Sequence, residues 1–319
     1  MILSVVIPVY NVERYVERCI RSCANQNIST SDYEIIVVND GSKDNSLQIV
    51  ETIASEYDNI RIISQENMGL SVARNVGINE SNGDYLMFID SDDWIEENCL
   101  KGIVPILLSE EPDCLPLGVN VNDGYLKIVE YEWNNQNGIT GKELLKKGIS
   151  HCVTYAIWRK EFLEKHNLRF VEGIFHEDAE FTSRAYFMAQ KVLFVSGIVY
   201  NRYPNPNSIT RTVNIKKSHD LVNAVCPSLF NFSKDLPKED KVIFDDIISL
   251  CLNNALYNTK YVSEEQQGKL NDEIYKNKFL YKSLISSSKL KYVVEGVLFT
   301  LFPKHSVRIY KLMSLFKTK

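Results

Sequence analysis

The chain has 319 residues, 45% of them apolar and 24% charged, with a formal net charge of −5. Those are the fractions of an ordinary folded protein, and they exclude disorder, collagen and coiled coil. An acidic balance also supplies no global basic field for nucleic acid, so no nucleic-acid partner is expected.

The first hundred residues alternate strand and helix. Leu3-Ser4-Val5-Val6-Ile7-Pro8-Val9 reads as a buried parallel strand. Val12, Tyr15, Val16, Cys19, Ile20 and Cys23 then recur at helical spacing, with Glu13, Arg14, Glu17, Arg18 and Arg21 on the other face. Asn11 is the predicted N-cap of that helix. Ile35 to Val38 is the second predicted strand, and Leu47, Val50, Ile53, Ala54 and Tyr57 mark the second helix. A third strand over Ile60 to Ile63, a helix over Val72 to Ile78 and a fourth strand over Tyr85 to Ile89 follow. Such alternation with short connections predicts a parallel sheet with right-handed crossovers. Residues 115 to 140 mix short strand-like runs with Asn and Gly. Residues 141 to 215 read as helix, turn, helix, strand, and 216 to 288 mostly as helices.

In sheets of this kind, ligands bind beyond the carboxyl ends of the strands. The residues there are Tyr10-Asn11, Asn39-Asp40-Gly41-Ser42, Gln65-Glu66-Asn67 and Asp90-Ser91-Asp92-Asp93. Two carboxylates spaced as Asp90 and Asp92 repel unless a cation lies between them. A hard divalent ion takes oxygen ligands and keeps positions for substrate phosphates. The competing reading is an acidic turn that caps a helix starting at Trp94. The strand-end position favours the metal. Asp40, Ser42, Asp44 and Glu51 also fall at calcium-loop positions 1, 3, 5 and 12. Asn45 stands where that loop needs Gly, however, and a strand precedes it, so an EF-hand is not expected. Asp40 is read instead as an acceptor for a nucleotide base or ribose, against the plainer reading of an Asp-Gly turn. Asn67-x-Gly69-x-x-x-Ala73-Arg74-Asn75 opens a helix, whose N–H groups favour an anion that Arg74 would also contact. His176-Glu177-Asp178 precedes a helix bearing Phe181, Ala185 and Phe187. A carboxylate there is a candidate general base, and the helix dipole alone also favours acids at such a position. Both readings are open at this point.

These segments together resemble the family 2 inverting glycosyltransferases of GT-A fold. The resemblance runs from residue 1 to roughly 211. It is carried by Ser4-Val5-Val6-Ile7-Pro8-Val9-Tyr10-Asn11, Val37-Val38-Asn39-Asp40-Gly41-Ser42, Asn67-Met68-Gly69-Leu70-Ser71-Val72-Ala73-Arg74-Asn75, Phe88-Ile89-Asp90-Ser91-Asp92-Asp93-Trp94 and His176-Glu177-Asp178. Five such segments in this order are specific. The resemblance implies an α/β fold, a Rossmann-like, mostly parallel sheet flanked by helices, with a helical C-terminal extension. It implies a nucleotide-sugar site made of Pro8, Val9, Tyr10, Asp40, Asn67, Arg74, Asp90, Ser91 and Asp92. A Mn²⁺ or Mg²⁺ ion would be held by Asp92 and Asp90, and Asp178 would be the catalytic base. Asp93, His176, Glu177 and Arg202 are supporting candidates. Tyr200-Asn201-Arg202 through Ser208-Ile209-Thr210 resembles the loop that often ends the catalytic domain, with Asn201-Arg202 where Tyr-Arg is common.

The expected organisation is a catalytic domain over 1–215, a helical extension over 216–288 and a basic amphipathic tail over 289–319. Within the first, 1–114 would bind the nucleotide sugar, and 115–215 would carry the acceptor side and the base. The donor is expected to be a uridine diphosphate sugar. The acceptor would be a saccharide or lipid-linked saccharide of cell-surface polysaccharide or glycolipid assembly. A metal-dependent sugar nucleotidyltransferase is the competing enzyme, but Val9-Tyr10-Asn11-Val12 lacks its Gly-rich phosphate loop. A non-catalytic nucleotide-sugar-binding protein is the third reading, opposed by the retained Asp40, Asp90, Asp92 and Asp178. Neither GxGxxG nor GxxxxGK[ST] is present.

The tail carries seven Lys or Arg against the single Glu295, which is +6 and leaves −11 for residues 1–288. Ile309, Leu312, Met313 and Phe316 form an apolar stripe with Arg308, Lys311 and Lys317 around it. Tyr292 to Phe302 is a second apolar segment. Burial against the protein's own core is one reading, and peripheral contact with the inner face of the cell membrane is the other. No apolar run reaches the eighteen residues of a membrane span. Met1-Ile2-Leu3-Ser4 does not start a secretory signal, and the seven scattered cysteines without a CxxC pair suit a reducing cytosol.

Overall fold

The computed structural model describes residues 1–122, 126–129, 138–205 and 214–315. The chain forms two compact units. The first comprises Met1–Gly173 with Ala185–Ser208, the second Ile174–Arg184 with Ile209–Lys319.

The first unit opens with β1 (Leu3–Val9), α1 (Val16–Ala24), β2 (Tyr33–Asn39), α2 (Ser46–Ala54), β3 (Ile60–Ser64), α3 (Leu70–Glu80) and β4 (Tyr85–Phe88). It continues through β5 (Trp94–Ile95), α4 (Cys99–Glu110), β6 (Cys114–Pro116), β7 (Gly118–Asn122), β8 (Leu126–Val129), α5 (Gly141–Lys147), β9 (Ala156–Arg159), α6 (Lys160–Lys165), the last turn of α7 (Glu177–Met188), and β10 (Ile198–Arg202). The main sheet has the order β3-β2-β1-β4-β9-β6. Strands β1 to β4 run parallel, and β9 pairs antiparallel with β4 and β6. A second sheet has the order β5-β10-β7-β8.

Both central strands are buried over their full length, as near-continuous apolar runs require. Val16, Cys19, Ile20 and Cys23 of α1 are wholly enclosed. Burying each such side chain contributes roughly 1.5–3 kcal/mol for an aliphatic of this size. Pro8 lies past Val6↔Phe88, the last β1–β4 pair. There β1 has become an edge on that side and tolerates a residue with no N–H. Strand β1 runs on to pair Val9 with Asn39, so the residues following β1 and β2 emerge side by side.

Two local expectations, the Asn11 cap and the Tyr200–Arg202 loop, are corrected, and the competing reading of a helix at Trp94 also fails. Asn11 is not an N-cap: it sits in left-handed backbone at φ 52°, and its Oδ1 accepts from the Lys43 N–H at 2.7 Å. Helix α1 starts only at Val16. Trp94 does not start a helix: Trp94–Ile95 pairs antiparallel with Tyr200–Asn201, so Tyr200-Asn201-Arg202 is a strand rather than a loop. The remainder of that expected loop, Ser208-Ile209-Thr210, lies outside the described residues.

The second unit is helical: α8 (Ile215–Asp220), α9 (Cys226–Ser233), α10 (Lys238–Asn258), α11 (Glu264–Lys276), α12 (Phe279–Ser286), α13 (Leu290–Leu301) and α14 (Ser306–Leu315). Between α8 and α9 the backbone widens into a π turn, Leu221–Val225, which ends two residues before Pro227. A proline has no N–H to give the preceding turn, and the wider turn relieves its ring. Glu180 and Arg184 form a buried i,i+4 pair at 2.7 Å, to which Ser228 adds a hydroxyl donor at 2.6 Å. On α14 the inward side chains are Val307 and Tyr310. Ile309 and Met313 of the expected stripe are half-buried, Leu312 is exposed, and Phe316 and Lys317 lie outside the described residues. No described helix is long and apolar enough to cross a membrane. All seven cysteines are free thiols, five of them buried.

Candidate active site

Two turns at the carboxyl edge of the main sheet carry the acidic candidates. The first follows β2. Asp40 is 4% exposed. Its Oδ1 accepts from Gln65 Nε2 at 2.7 Å and from the Met68 N–H at 2.9 Å, and its Oδ2 accepts from the Gly69 N–H at 2.8 Å. Met68 and Gly69 are the mouth of α3, so the anion at this helix start is Asp40 itself. Gly41 makes the approach possible. Its φ is 72°, and a Cβ there would come within 2.8 Å of the Asn67 nitrogen. Three donors leave Asp40 with one of its four acceptor positions for a ligand.

The second turn follows β4 and is less well compensated. Arg74, 1% exposed, pairs through Nη2 with Asp90 Oδ1 at 2.9 Å and lies 5.3 Å from the Phe170 ring centre. The pair is therefore enclosed on the arginine side. Asp92 Oδ2 accepts from Asn205 at 2.9 Å. Burial lifts Asp92 above the ordinary carboxylate range, and the charge of Asp90 adds to this, while Asn205 and the charge of Arg202 oppose it. Asp93 lies deeper. Tyr200 donates its hydroxyl to Oδ2 at 2.5 Å, and the Tyr203 N–H donates to Oδ1 at 2.7 Å. Its pKa is pushed up to about 8, by burial first and by Asp90 second.

Arg18 closes the turn from outside. Its guanidinium stacks 3.8 Å from the Trp94 ring centre and 4.9 Å from that of Tyr203, and its Nη2 donates to the Asp92 carbonyl at 2.8 Å. Pro8 and Val9 are buried at the end of β1, Ser91 is buried in the turn, and Tyr10 and Asn67 are exposed on the rim. The sequence reading missed Arg18, Asn205, Tyr200 and Tyr203 as parts of this turn. Tyr200 and Asn205 lie over a hundred residues downstream, and an exposed arginine on a charged helix face carries no local signal.

His176, Glu177 and Asp178 stand at the start of α7, in the second unit. His176 has left-handed backbone at φ 65°. Burial, with the charge of Lys217, holds its imidazole below the usual range, against the charge of Asp220. The Asp178 carbonyl accepts from the Thr182 hydroxyl at 2.7 Å, and Asp178 and Glu177 are half-buried.

The donor set suits a hard divalent ion. Asp90 and Asp92 offer carboxylate oxygens, and one or two carboxylates suffice when substrate phosphates complete the shell. Among the described residues no group of three or more His, Cys, Asp or Glu converges as a closed metal cage. An open site of this kind is the one that a phosphate-bearing substrate would complete.

Comparison with known proteins agrees with the resemblance. The model of "Glycosyl transferase family 2" matches residues 4–166, half of the chain. The glycosyltransferase EpsJ of Bacillus subtilis, uncharacterised, is 34% identical over 218 residues, which are 66% of this chain and 63% of that one. YibD of Escherichia coli K12, also an uncharacterised glycosyltransferase, is 29% identical over the same shares. The chain thus spans under two thirds of the length of these relatives. Among solved structures, residues 1–349 of Staphylococcus aureus TarS with UDP-GlcNAc give a TM-score of 0.74 at 21% identity, covering 90% of this chain and 84% of that one. A Pyrobaculum calidifontis mannosyltransferase with GDP-Man and Mn²⁺ gives 0.57 at 14% identity, covering 99% and 88%. These two share the fold. The family match over half of the chain, on the strands and turns described above, makes this chain a member of the family 2 glycosyltransferases.

Proposed function

We propose that the chain transfers a sugar, with inversion, from a uridine diphosphate sugar to an acceptor hydroxyl. The observation that carries this is the turn after β4, where Asp90 and Asp92 bring carboxylates together and burial holds Asp92 above its ordinary range. The UDP-GlcNAc complex of TarS, a structural relative, supports the choice of uridine. Residues 1–114 would form the donor side, with Pro8, Val9, Tyr10, Asp40 and Asn67 toward the nucleoside and Arg74 fixing Asp90. Asp92 and Asp90 would hold Mn²⁺ or Mg²⁺, which when bound offsets negative charge on the diphosphate. Arg202, whose charge already reaches Asp92, suits the same diphosphate. Asp178 takes the proton of the acceptor hydroxyl as that oxygen bonds to the anomeric carbon. The bond to the diphosphate breaks on the opposite face, and its electron pair leaves with the nucleotide. Glu177 and His176 shape the start of α7 around that base. The acceptor would be a saccharide or lipid-linked saccharide of cell-surface polysaccharide or glycolipid assembly, met on the cytoplasmic side. Relatives that act in such assembly, TarS as a poly(ribitol-phosphate) β-N-acetylglucosaminyltransferase among them, support that class.

The test is Asp178→Asn, assayed for donor turnover and for UDP binding by calorimetry. Turnover should fall roughly 10² to 10⁴-fold, the range for a general base, with UDP affinity kept. Unchanged turnover would move the base away from Asp178. A UDP-sugar panel that gives neither binding nor turnover, with or without Mn²⁺, would overturn the donor assignment.

A further inference from the structure

Helix α13 departs from the pattern of a surface helix. It reads Leu-Lys-Tyr-Val-Val-Glu-Gly-Val-Leu-Phe-Thr-Leu, apolar on almost every side. Its inner face is Glu295, Gly296 and Phe299, all enclosed. Gly296 permits close seating on α12, since a Cβ there would meet Leu284 at 2.8 Å and Ile285 at 2.9 Å. The opposite face should be polar. Instead Leu290 is 77% exposed, Val294 43%, Val297 45% and Leu301 65%. At 3.6 residues per turn these four fall within about 60° of one another. Phe302, 54% exposed, extends the line past the helix end.

Basic side chains dominate the chain around it, although the Asp246 carboxylate of α10 accepts from Ser287 and Ser288 just before the helix. From Lys276 to Leu315 the only acidic side chain is Glu295, which is fully enclosed. Over the same span Lys276, Lys278, Lys282, Lys289, Lys291, Lys304 and Arg308 are exposed. Two of them, Lys289 and Lys291, bracket Leu290, and Lys304 follows Phe302.

We propose that this face of α13 docks the protein on an anionic membrane surface. An apolar ridge rimmed by lysines fits the boundary between acyl chains and negative headgroups. The lysine stems lie along apolar surface while their ammonium groups reach the phosphates. Twelve residues make a helix of about 18 Å, against about 30 Å of hydrocarbon, so α13 lies in the interface and does not span it. The sequence points both to the stripe on α14 and to the Tyr292–Phe302 segment that makes up most of α13. The structure leaves Ile309 and Met313 of the α14 stripe half-buried and Leu312 exposed, and presents α13 as the outward ridge. The surface stands without the transfer reaction. It deepens the reading of a lipid-linked acceptor only if that reading also holds.

The full chain should co-float with vesicles of phosphatidylcholine and phosphatidylglycerol at 7:3 and not with phosphatidylcholine alone. Leu290→Asp with Leu301→Asp should weaken this roughly a hundredfold, about tenfold for each leucine kept from the apolar phase. Lys289→Gln and Lys304→Gln should each cost roughly fivefold. Leu108→Asp, at a leucine 57% exposed on α4, should leave binding unchanged. Thermal melts verify that each variant folds, and the lysine variants carry the test if the leucine pair does not. Absence of vesicle binding, or binding indifferent to both sets, overturns the proposal. So does a dimer in solution that the leucine pair converts to monomer, since a second copy would then cover the ridge. UDP binding without vesicles should be the same in all variants, so a failed donor assignment and a failed docking surface are separable.

Discussion

The turns after β2 and β4 have similar composition and opposite electrostatics. After β2, Asp40 spends its charge on the protein: two backbone N–H groups and an amide hold both oxygens. After β4, buried Arg74 pairs with Asp90, the charge of Arg202 reaches Asp92, neutral donors meet Asp92 and Asp93, and burial still lifts both of the latter. A carboxylate that accepts several N–H bonds organises a loop. Carboxylates left under-compensated in a partly buried turn are poised for a cation from outside. Acidic residues at a strand end therefore do not declare their role by type or position. The number and kind of donors around them does.

The comparison breaks most sharply at Asp92. Asp92→Asn should lower Mn²⁺-dependent turnover at least about a hundredfold, the scale of one lost electrostatic contact to the transition state. It should leave urea stability unchanged or slightly raised, because a like charge has been removed. Asp40→Ala should do the reverse to stability. Losing hydrogen bonds to a charged group, at roughly 1.5–3 kcal/mol each, should lower the unfolding free energy by about 3 kcal/mol or more in urea titration. If Asp40→Ala melts like the wild type, the assignment of Asp40 as the organiser of the Gln65–Gly69 loop fails.

Asp93 sharpens the contrast through pH. Its folded pKa, about 8, lies above the unfolded value near 4. Between those values the folded chain keeps a proton that the unfolded chain has lost. This contribution to stability is present in full below pH 4, falls as pH rises from about 4 to about 8, and is level beyond. Asp93→Asn should remove that slope from a series of melts between pH 5 and 8. A slope of unchanged size would assign it to other groups. The smallest effect is expected at Arg18. Its stack on Trp94 is exposed, so Arg18→Ala should cost about 1 kcal/mol or less, with a modest rise in the donor KM as the Asp92 carbonyl loses its donor.

The sheet and its acidic turns were legible because the signals are local. Leu3 to Val9 and Ile35 to Val38 are unbroken apolar runs, and burial on both faces is what such runs mean. What surrounds the turns was not legible, because distant segments supply it. Asn11 looked like a cap from its neighbours, but Lys43 engages its side chain from across the β1–β2 edge. A helix start at Trp94 is the competing reading of that turn, and Tyr200 and Asn201 claim its backbone instead. Arg74 reads from sequence as an anion contact at a helix start, and Phe170 and Asp90, closed in around it, show a buried guanidinium. Local pattern finds the carboxylates, and the donors that decide their roles arrive from elsewhere in the chain.

The stack of Arg18 on Trp94 gives this turn an optical consequence. An indole 3.8 Å from a guanidinium, on the residue two after Asp92, feels any change in the charge of the turn. Trp158 is fully buried and tied to the Val153 carbonyl at 3.2 Å, so its emission is shielded from such a change. Titrating Mn²⁺ or Mg²⁺ with UDP should therefore move the emission of Trp94. The third tryptophan, Trp133, lies outside the described residues; in a Trp133→Phe background, Trp94→Phe should abolish that movement, which makes occupancy of the turn readable by fluorescence before any sugar is transferred.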